Sequence, residues 1–289
     1  MQYVLNGLPM GAIYALVALG YSLIYAAAGV LNWAQGDMVM LGAYLGFTLY
    51  QVVRVNFPVA MLLAMGGIAL VGVLIERGVL RPLRRRNSPP INVVIATLGV
   101  AIICRNAALA IWGPDAQPFP PPLGSRTVEV GGLRLVPQDM LIVALGVLIM
   151  LMLQYFLRYT REGKALRAVA QDRMAASLMG VHAERSDAVA FAASAALGAA
   201  AGALVAPLFF VTFSMGAAIG LKGFVAAVVG GLGNIPGAIA GGFALGVIEA
   251  AASGLISSGY RDAIAFAVLI LILWLKPSGL LSREARQKV

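Results

Sequence analysis

Long apolar stretches without a charged residue recur along this chain, and they constrain its fold more than any other feature. Of its 289 residues, 61% are hydrophobic and only 11% are charged. Soluble domains carry about 25% charged residues, whereas about 20 apolar residues in a helix cross the ~30 Å hydrocarbon core of a bilayer. The sequence therefore predicts an all-α fold, a polytopic transmembrane helical bundle.

Nine candidate spans can be read from these apolar stretches. They cover residues 8–29, 37–53, 58–76, 91–112, 139–157, 188–211, 216–232, 236–256 and 262–276. We expect eight or nine crossings, because some of the segments have the glycine and proline interruptions of broken or re-entrant helices. No long linker or low-complexity stretch divides the chain, so residues 1–289 are interpreted as a single membrane-spanning domain.

One charged island interrupts the apolar sequence near its middle. Of the chain's 21 basic and 12 acidic residues, ten lie in residues 158–187. From Gly163 the island reads as one amphipathic helix, and Gly180 is a candidate for its end. Its loose apolar stripe consists of Leu166, Ala170, Met174, Leu178 and Val181. Two interpretations stay open here: a helix that lies in the groove of a partner protein, and a solvated helix that rests on lipid head groups.

The basic residues cluster between the apolar stretches, which is typical of the positive-inside pattern of membrane topology. Three clusters are expected in the cytoplasm: the island, the group from Arg77 to Arg86, and a tail with Lys276, Arg283, Arg286 and Lys288. The proline-rich connection from Gly113 to Pro137 suits the opposite face. The N-terminus is then expected outside, provided the second span is a full crossing, and the C-terminus inside.

Motifs of an enzyme are absent from the sequence. No G-x-x-x-x-G-K-[ST] phosphate loop occurs, and the Gly163-Lys164 pair is followed by Ala165. A lone histidine, His182, and a lone cysteine, Cys104, do not make a metal cluster. We therefore predict no catalytic residue, no metal and no cofactor. The net charge of +9 is assigned to membrane topology and not to nucleic-acid binding.

Polar residues inside the apolar stretches are the candidates for a substrate path. Asn32, Gln35 and Asp37 lie between two apolar runs. They indicate either a helix break that faces a water-filled path or a tight turn at the membrane interface. Ionisable residues expected within the spans are Asp37, Arg105, Lys222 and Glu249. A charge at depth costs about 2.5–3.5 kcal/mol on insertion scales, so each is expected to be paired, to reach the interface or to line a cavity.

Small residues recur at four-residue spacing in two other segments. Gly233, Gly237 and Gly241 form one series, and Gly198 and Gly202 form a pair. Such spacing allows helix backbones to approach each other closely in lipid. The pattern predicts helix packing and not substrate contact.

Three segments together resemble one family of transport proteins. They are the N-W-A-Q-G-D block at residues 32–37, the glycine-rich block at residues 220–242 and the island stretch at residues 163–181. From about residue 5 to residue 281, the chain resembles the membrane-spanning permease subunit of the branched-chain amino acid ABC transporters. These are the high-affinity leucine, isoleucine and valine importers.

The resemblance implies that the island is a coupling segment, which docks on a cytoplasmic ATPase subunit. Ala175, Ala176 and Gly180 match the family's Ala-Ala-x-x-x-Gly core, and Gly163 and Leu166 belong to the same segment. The resemblance also implies two ATP-binding subunits, a second permease subunit in a heterodimer, and a periplasmic solute-binding protein. ATP would be bound by the partner subunits, and the assembly would lie in a bacterial inner membrane.

Two residues depart from the family pattern. Gln35 stands where the family more often has histidine, and Asp37 stands where it has glutamate. A permease for urea, short amides or another small organic solute is therefore an alternative to one for branched-chain amino acids. A stand-alone secondary transporter or channel and a membrane-embedded enzyme are the other classes considered.

Overall fold

Helices of membrane-spanning length make up most of the chain. The computed structural model describes residues 2–86, 88–124, 128–130, 133–255, 258–276 and 279–281. Six helical segments in these ranges are long and apolar enough to cross a membrane. They are α1 (Gln2–Ala28), α3 (Phe57–Ile75, continued by a turn into a short helix at Arg81–Arg85), α5 (Pro90–Trp112), α6 (Pro137–Tyr159), α9 (Ala183–Val205) and α11 (Ile235–Leu255). The all-helical, multi-pass class is confirmed, whereas the count of eight or nine crossings stays a prediction.

Shorter elements connect or complete these helices. They are α2 (Gln35–Phe47), α4 (Arg81–Arg85), α7 (Arg161–Gln171), α8 (Arg173–Leu178), α10 (Met215–Gly230) and α12 (Arg261–Leu275). π-helical turns at Thr48–Val52 and Glu76–Leu80 follow α2 and α3, and a 3₁₀ turn occupies Ser258–Tyr260. An antiparallel hairpin of β1 (Val128–Val130) and β2 (Leu133–Leu135) lies between α5 and α6. The tail residues Arg283, Arg286 and Lys288, which the sequence assigns to a basic cluster, lie outside the described residues.

Helix α1 forms the centre of the bundle. It contacts α6, α9, α10 and α11, and every side chain from Ala12 to Leu19 is fully buried or nearly so. A helix that is apolar on all sides is expected in such a position, because each of its faces meets another helix or lipid.

A break separates α1 from α2 inside the bundle. Gly29 has a left-handed backbone with a φ of 66°, and the side chain of Asn32 accepts a hydrogen bond from the Ala34 amide at 3.1 Å. Helix α2 then begins at Gln35, which hydrogen-bonds to Ser194, midway along α9. The first turn of α2 therefore lies at the level of the middle of α9.

The glycine series lie where helix backbones meet. A Cβ atom on Gly202 would collide with the carbonyl of Val39 and lie 2.7 Å from the amide nitrogen of Ala43, and one on Gly198 would lie 3.1 Å from Met38. Gly237 and Gly241 similarly face the backbone of α10. Gly233 differs, because its φ of 82° places it in the left-handed turn between α10 and α11.

We expect the Gly202→Ala substitution to lower the apparent melting temperature of the detergent-purified protein by several degrees. The added methyl group would push α9 away from α2, and overpacking of this kind costs about 1–3 kcal/mol. The control is Gly66→Ala in α3, because a Cβ atom there has no neighbour within 4 Å. Equal melting temperatures for the two variants would contradict close packing at Gly202.

Candidate functional site

The charged island folds as two short helices and not as one. The single helix predicted from Gly163 to Gly180 is wrong, because Asp172 adopts an extended backbone, with φ −154° and ψ 109°, between α7 and α8. Its side chain accepts a hydrogen bond from the Ala175 amide at 2.9 Å and so begins α8. Thr160 begins α7 in the same way, by accepting from the Gly163 amide at 3.0 Å. Side-chain caps of this kind satisfy amide groups that a helix leaves unbonded.

Helix α7 turns its apolar residues towards the bundle. Leu166 and Val169 are buried, and Gly163 lies against the backbone of Phe156 and Leu157, where a side chain would collide. The first residues of the proposed coupling segment therefore attach α7 to the C-terminal end of α6.

Helix α8 presents apolar side chains outward. Met174, Leu178 and Met179 are 77%, 81% and 85% exposed. Ala175 is exposed, Ala176 is buried, and Gly180 has a φ of 84° just after the helix. These residues lie in the charged part of the chain, so lipid is not the expected cover for all of them. Contiguous exposed apolar side chains of this kind mark an interaction surface.

A buried carboxylate attaches α8 to the bundle. Asp187, in the first turns of α9, is 1% exposed and accepts two hydrogen bonds from Arg173, at 3.1 and 2.6 Å. Arg84 of α4 forms a second ion pair with Asp187. The guanidinium of Arg173 also donates to the carbonyl of Ala27 near the end of α1, at 3.3 Å. Hydrogen bonding to Asp187 raises the pKa of Arg173 above its ordinary value, so Arg173 stays charged.

Further ion pairs surround Asp187. Arg81 lies 2.9 Å from the buried Glu76, and Arg85 lies 2.9 Å from Glu184. Together with Arg84, Arg173 and Asp187, these residues line a cavity of about 380 Å³. Sequence reasoning placed the basic cluster at this membrane face but missed its acidic partners. The available signal for Glu184 and Asp187 was the presence of acidic residues within the island, and for Glu76 its position next to Arg77.

The polar residues of the helix break have separate partners. Gln35 is fully buried, and its amide nitrogen donates to the carbonyl of Ser194 at 3.0 Å. The Ser194 hydroxyl lies within hydrogen-bonding distance of both Gln35 Oε1, at 2.8 Å, and the Gly20 carbonyl, at 2.9 Å. Gln35 thereby joins α2, α9 and α1.

Asp37 forms an ion pair with Arg105 of α5. Their Oδ1 and Nε atoms are 2.7 Å apart, and the other carboxylate oxygen of Asp37 is buried without a hydrogen bond to any described residue. The side chain of Arg105 is 38% exposed although it lies within a membrane-length helix. A charge with that exposure is expected to face water or a protein partner, since lipid solvates it poorly.

Lys222 and Glu249 form a third polar group, where α10 and α11 meet the start of α12. Lys222 Nζ lies 3.0 Å from Glu249 and 2.8 Å from Asp262 of α12. The hydroxyl of Tyr14 donates to Glu249 at 2.8 Å. Sequence reasoning named Lys222 and Glu249 but not their pairing with each other or with Asp262. Within the described ranges, no three His, Cys, Asp or Glu side chains are grouped so that they could hold a metal ion.

Known proteins with similar sequences are transport permeases. The family model for "Branched-chain amino acid transport system / permease component" matches residues 3–273. The high-affinity branched-chain amino acid permease proteins LivH of Salmonella typhimurium and of Escherichia coli K12 are each 35% identical over 100% of this chain and 97% of their own length. The corresponding BraD protein of Pseudomonas aeruginosa is 33% identical over 100% of this chain and 98% of its own length.

A solved structure described as PsaBC from Streptococcus pneumoniae in complex with Fab is also similar, with a TM-score of 0.48 and 14% identity over 96% of this chain and 93% of that chain. The family model covers nearly the whole chain, and the LivH and BraD proteins match it from end to end. The chain therefore belongs to the family of branched-chain amino acid transport system permease components.

Proposed function

We propose that this chain is the membrane subunit of an ATP-driven importer for branched-chain amino acids. The observation that carries the proposal is the outward apolar face of α8, which is fixed to the bundle through Asp187 and Arg173. The sequence has no phosphate loop of its own, so in the proposed importer a partner subunit binds the ATP. The names of the LivH and BraD relatives support the substrate class.

Separate subunits complete the proposed assembly. Two cytoplasmic ATP-binding subunits would dock on α8 and its equivalent in a second permease subunit, and a periplasmic protein would deliver the amino acid. Ala175, Ala176 and Gly180 would lie at the contact with the ATPase, while Gly163 and Leu166 would hold α7 in place. Closure of the ATPase pair would then move α8, and Arg173 would pass that movement to α9, α4 and α1 through Asp187 and the Ala27 carbonyl.

Nine crossings would fit the positions of the basic clusters. The six long segments would be joined by α2 with its π-helical turn, by α10 and by α12. The N-terminus would then be periplasmic and the C-terminus cytoplasmic, in a single membrane domain of a bacterial inner membrane. Within it, Asn32, Gln35 and Asp37 remain the predicted polar groups near the path. The partly exposed Arg105 beside Asp37 supports water or a second subunit at that level.

Uptake by the reconstituted transporter tests this function. Proteoliposomes that contain this chain, its second permease subunit and both ATPases should accumulate leucine only when ATP and the binding protein are supplied. Urea and acetamide, offered in the same assay, test the alternative substrates. Leucine uptake that persists without ATP would contradict the importer, and uptake of urea in place of leucine would contradict the substrate.

A further inference from the structure

A cavity of about 340 Å³ lies beside the Lys222 group. Residues from α1, α10, the start of α12 and the connection before α10 line it, including Tyr14, Phe209, Phe210, Ala218, Lys222 and Asp262. The same connection pairs with the loop after α5, because Val211 and Gln117 exchange two backbone hydrogen bonds of 2.9 Å. The positions of the basic clusters predict that this loop lies on the opposite face, so we expect the cavity on the face where substrate would arrive.

The charges around this cavity are arranged in two layers. Glu249 is buried, accepts a hydrogen bond from Tyr14 and forms an ion pair with Lys222 at 3.0 Å, so the inner Lys222–Glu249 pair carries no net charge. Asp262 forms the outer layer, at 2.8 Å from Lys222, and its side chain is 73% exposed. The single positive charge of Lys222 is therefore shared between two carboxylates. The group has a net negative charge, which Asp262 presents to the cavity.

Aromatic side chains form an apolar wall next to these charges. Phe209 and Phe210 line the cavity, and their side chains are 49% and 63% exposed. A pocket with mostly apolar walls and a few polar groups that fix orientation is the usual form of a small-molecule site.

We propose that this cavity binds the substrate as a zwitterion, with the ammonium group on Asp262, the carboxylate on Lys222 and an aliphatic side chain against Phe209 and Phe210. This inference rests on the proposed importer function and adds the site of first contact. A zwitterion that inserts between Lys222 and Asp262 places its negative carboxylate beside the Lys222 ammonium and its positive ammonium beside the Asp262 carboxylate. It adds no net charge to the site. A simple anion would be repelled by the Asp262 carboxylate, whose charge Lys222 does not fully balance. A simple cation would have no carboxylate for the Lys222 ammonium to bind.

Glu249 and Tyr14 act as positioning residues in this arrangement. Because Glu249 lies 3.0 Å from the Lys222 ammonium, their ion pair holds that ammonium at the cavity when the substrate carboxylate displaces Asp262. Binding at such an exposed site is expected to be weak, since a transported solute must also leave.

Protection of an introduced cysteine tests the site. Ala218 is exposed and lines the cavity, so Ala218→Cys should react with a charged, membrane-impermeant thiol reagent applied from outside. The unmodified chain gives the background, because Cys104 is its only cysteine and is buried. The complete permease–ATPase complex in nanodiscs is labelled without the binding protein, in the presence of millimolar leucine, leucinamide or 2-hydroxyisocaproate.

Leucine is expected to slow labelling of Ala218→Cys several-fold. The same protection is expected with Asp262→Glu, and none with Asp262→Asn, in the Ala218→Cys background. The two analogues, which each lack one charge, should not protect. If leucine leaves the labelling rate unchanged, or if protection survives Asp262→Asn, the cavity is not the binding site. If either analogue protects as well as leucine does, the site does not require both charges of a zwitterion.

The experiments distinguish a wrong binding site from a wrong importer function. ATP-dependent leucine uptake by the wild-type assembly, together with no protection of Ala218→Cys, would leave the importer intact and remove only this cavity as a binding site. Loss of ATP dependence in the wild-type assembly would instead remove the function on which the inference rests.

Discussion

Asp187→Ala is expected to destabilise the protein by about 3 kcal/mol and to abolish ATP-driven uptake. The substitution leaves the guanidinium groups of Arg84 and Arg173 beside each other without the buried carboxylate that they share. Removing one member of a buried ion pair costs about 3–5 kcal/mol, and the lower value applies because Arg173 is 43% exposed and can turn to water. Thermal melting of the purified complex and leucine uptake measure the two effects.

The control for Asp187 is another acidic residue of the island. Glu162 pairs with Arg185, and their side chains are 35% and 72% exposed, whereas Asp187 is 1% exposed. An exposed pair of this kind contributes about 0–1 kcal/mol, so Glu162→Ala should melt and transport nearly as the wild type does. Asp187→Asn keeps the shape of the side chain and removes its charge. If Asp187→Asn and Glu162→Ala were equally active, the connection from α8 through Asp187 would not transmit the ATPase movement.

Leu178→Asp is expected to reduce ATP-driven uptake by 30-fold or more while the amount of protein in the membrane stays unchanged. Leu178 is exposed on α8 and makes no core contact that folding requires, so the bundle should assemble normally. Loss of an interface residue at a central contact costs about 2 kcal/mol or more, and each ~1.4 kcal/mol corresponds to a tenfold change in affinity. Co-purification of the ATPase subunits with the permease measures the contact directly.

A variant with the same added charge separates docking from general electrostatics. Gln171 is exposed at the end of α7, so Gln171→Asp adds a carboxylate to the same island without changing the apolar face of α8. It should retain the ATPase subunits. Retention of the ATPase by Leu178→Asp as well would exclude α8 as the docking surface.

The sequence was most informative about the fold class, which depends mainly on the composition of each segment. Apolar stretches of spanning length predicted the helical membrane fold, and the break near Asn32 appears between α1 and α2. Boundaries were less accurate: the predicted span of residues 188–211 begins after the start of α9 and runs past its end at Val205. There the chain leaves the helix for the connection that pairs with Gln117, and apolar composition does not distinguish the two.

The island shows a second limit of sequence reasoning. Its apolar residues suggested one stripe, but Asp172 caps a new helix, so Leu166 turns inward and Leu178 outward. A side-chain cap competes locally with helix continuation, and the balance depends on what the following residues can bind. In this case Arg173 binds Asp187, a residue of the next long helix.

By itself, the sequence determined the all-helical membrane class, the charged island and the family. Apolar length, charge clustering and local motifs are sufficient for these, because each depends on neighbouring residues and on the solvent around them. The tertiary structure decided the partners of the polar residues: Asp187 with Arg84, 103 positions away, and Asp37 with Arg105, 68 positions away. Such pairs form only when packing brings distant helices together, and the energy that selects them is the cost of leaving a charge unpaired in the bundle.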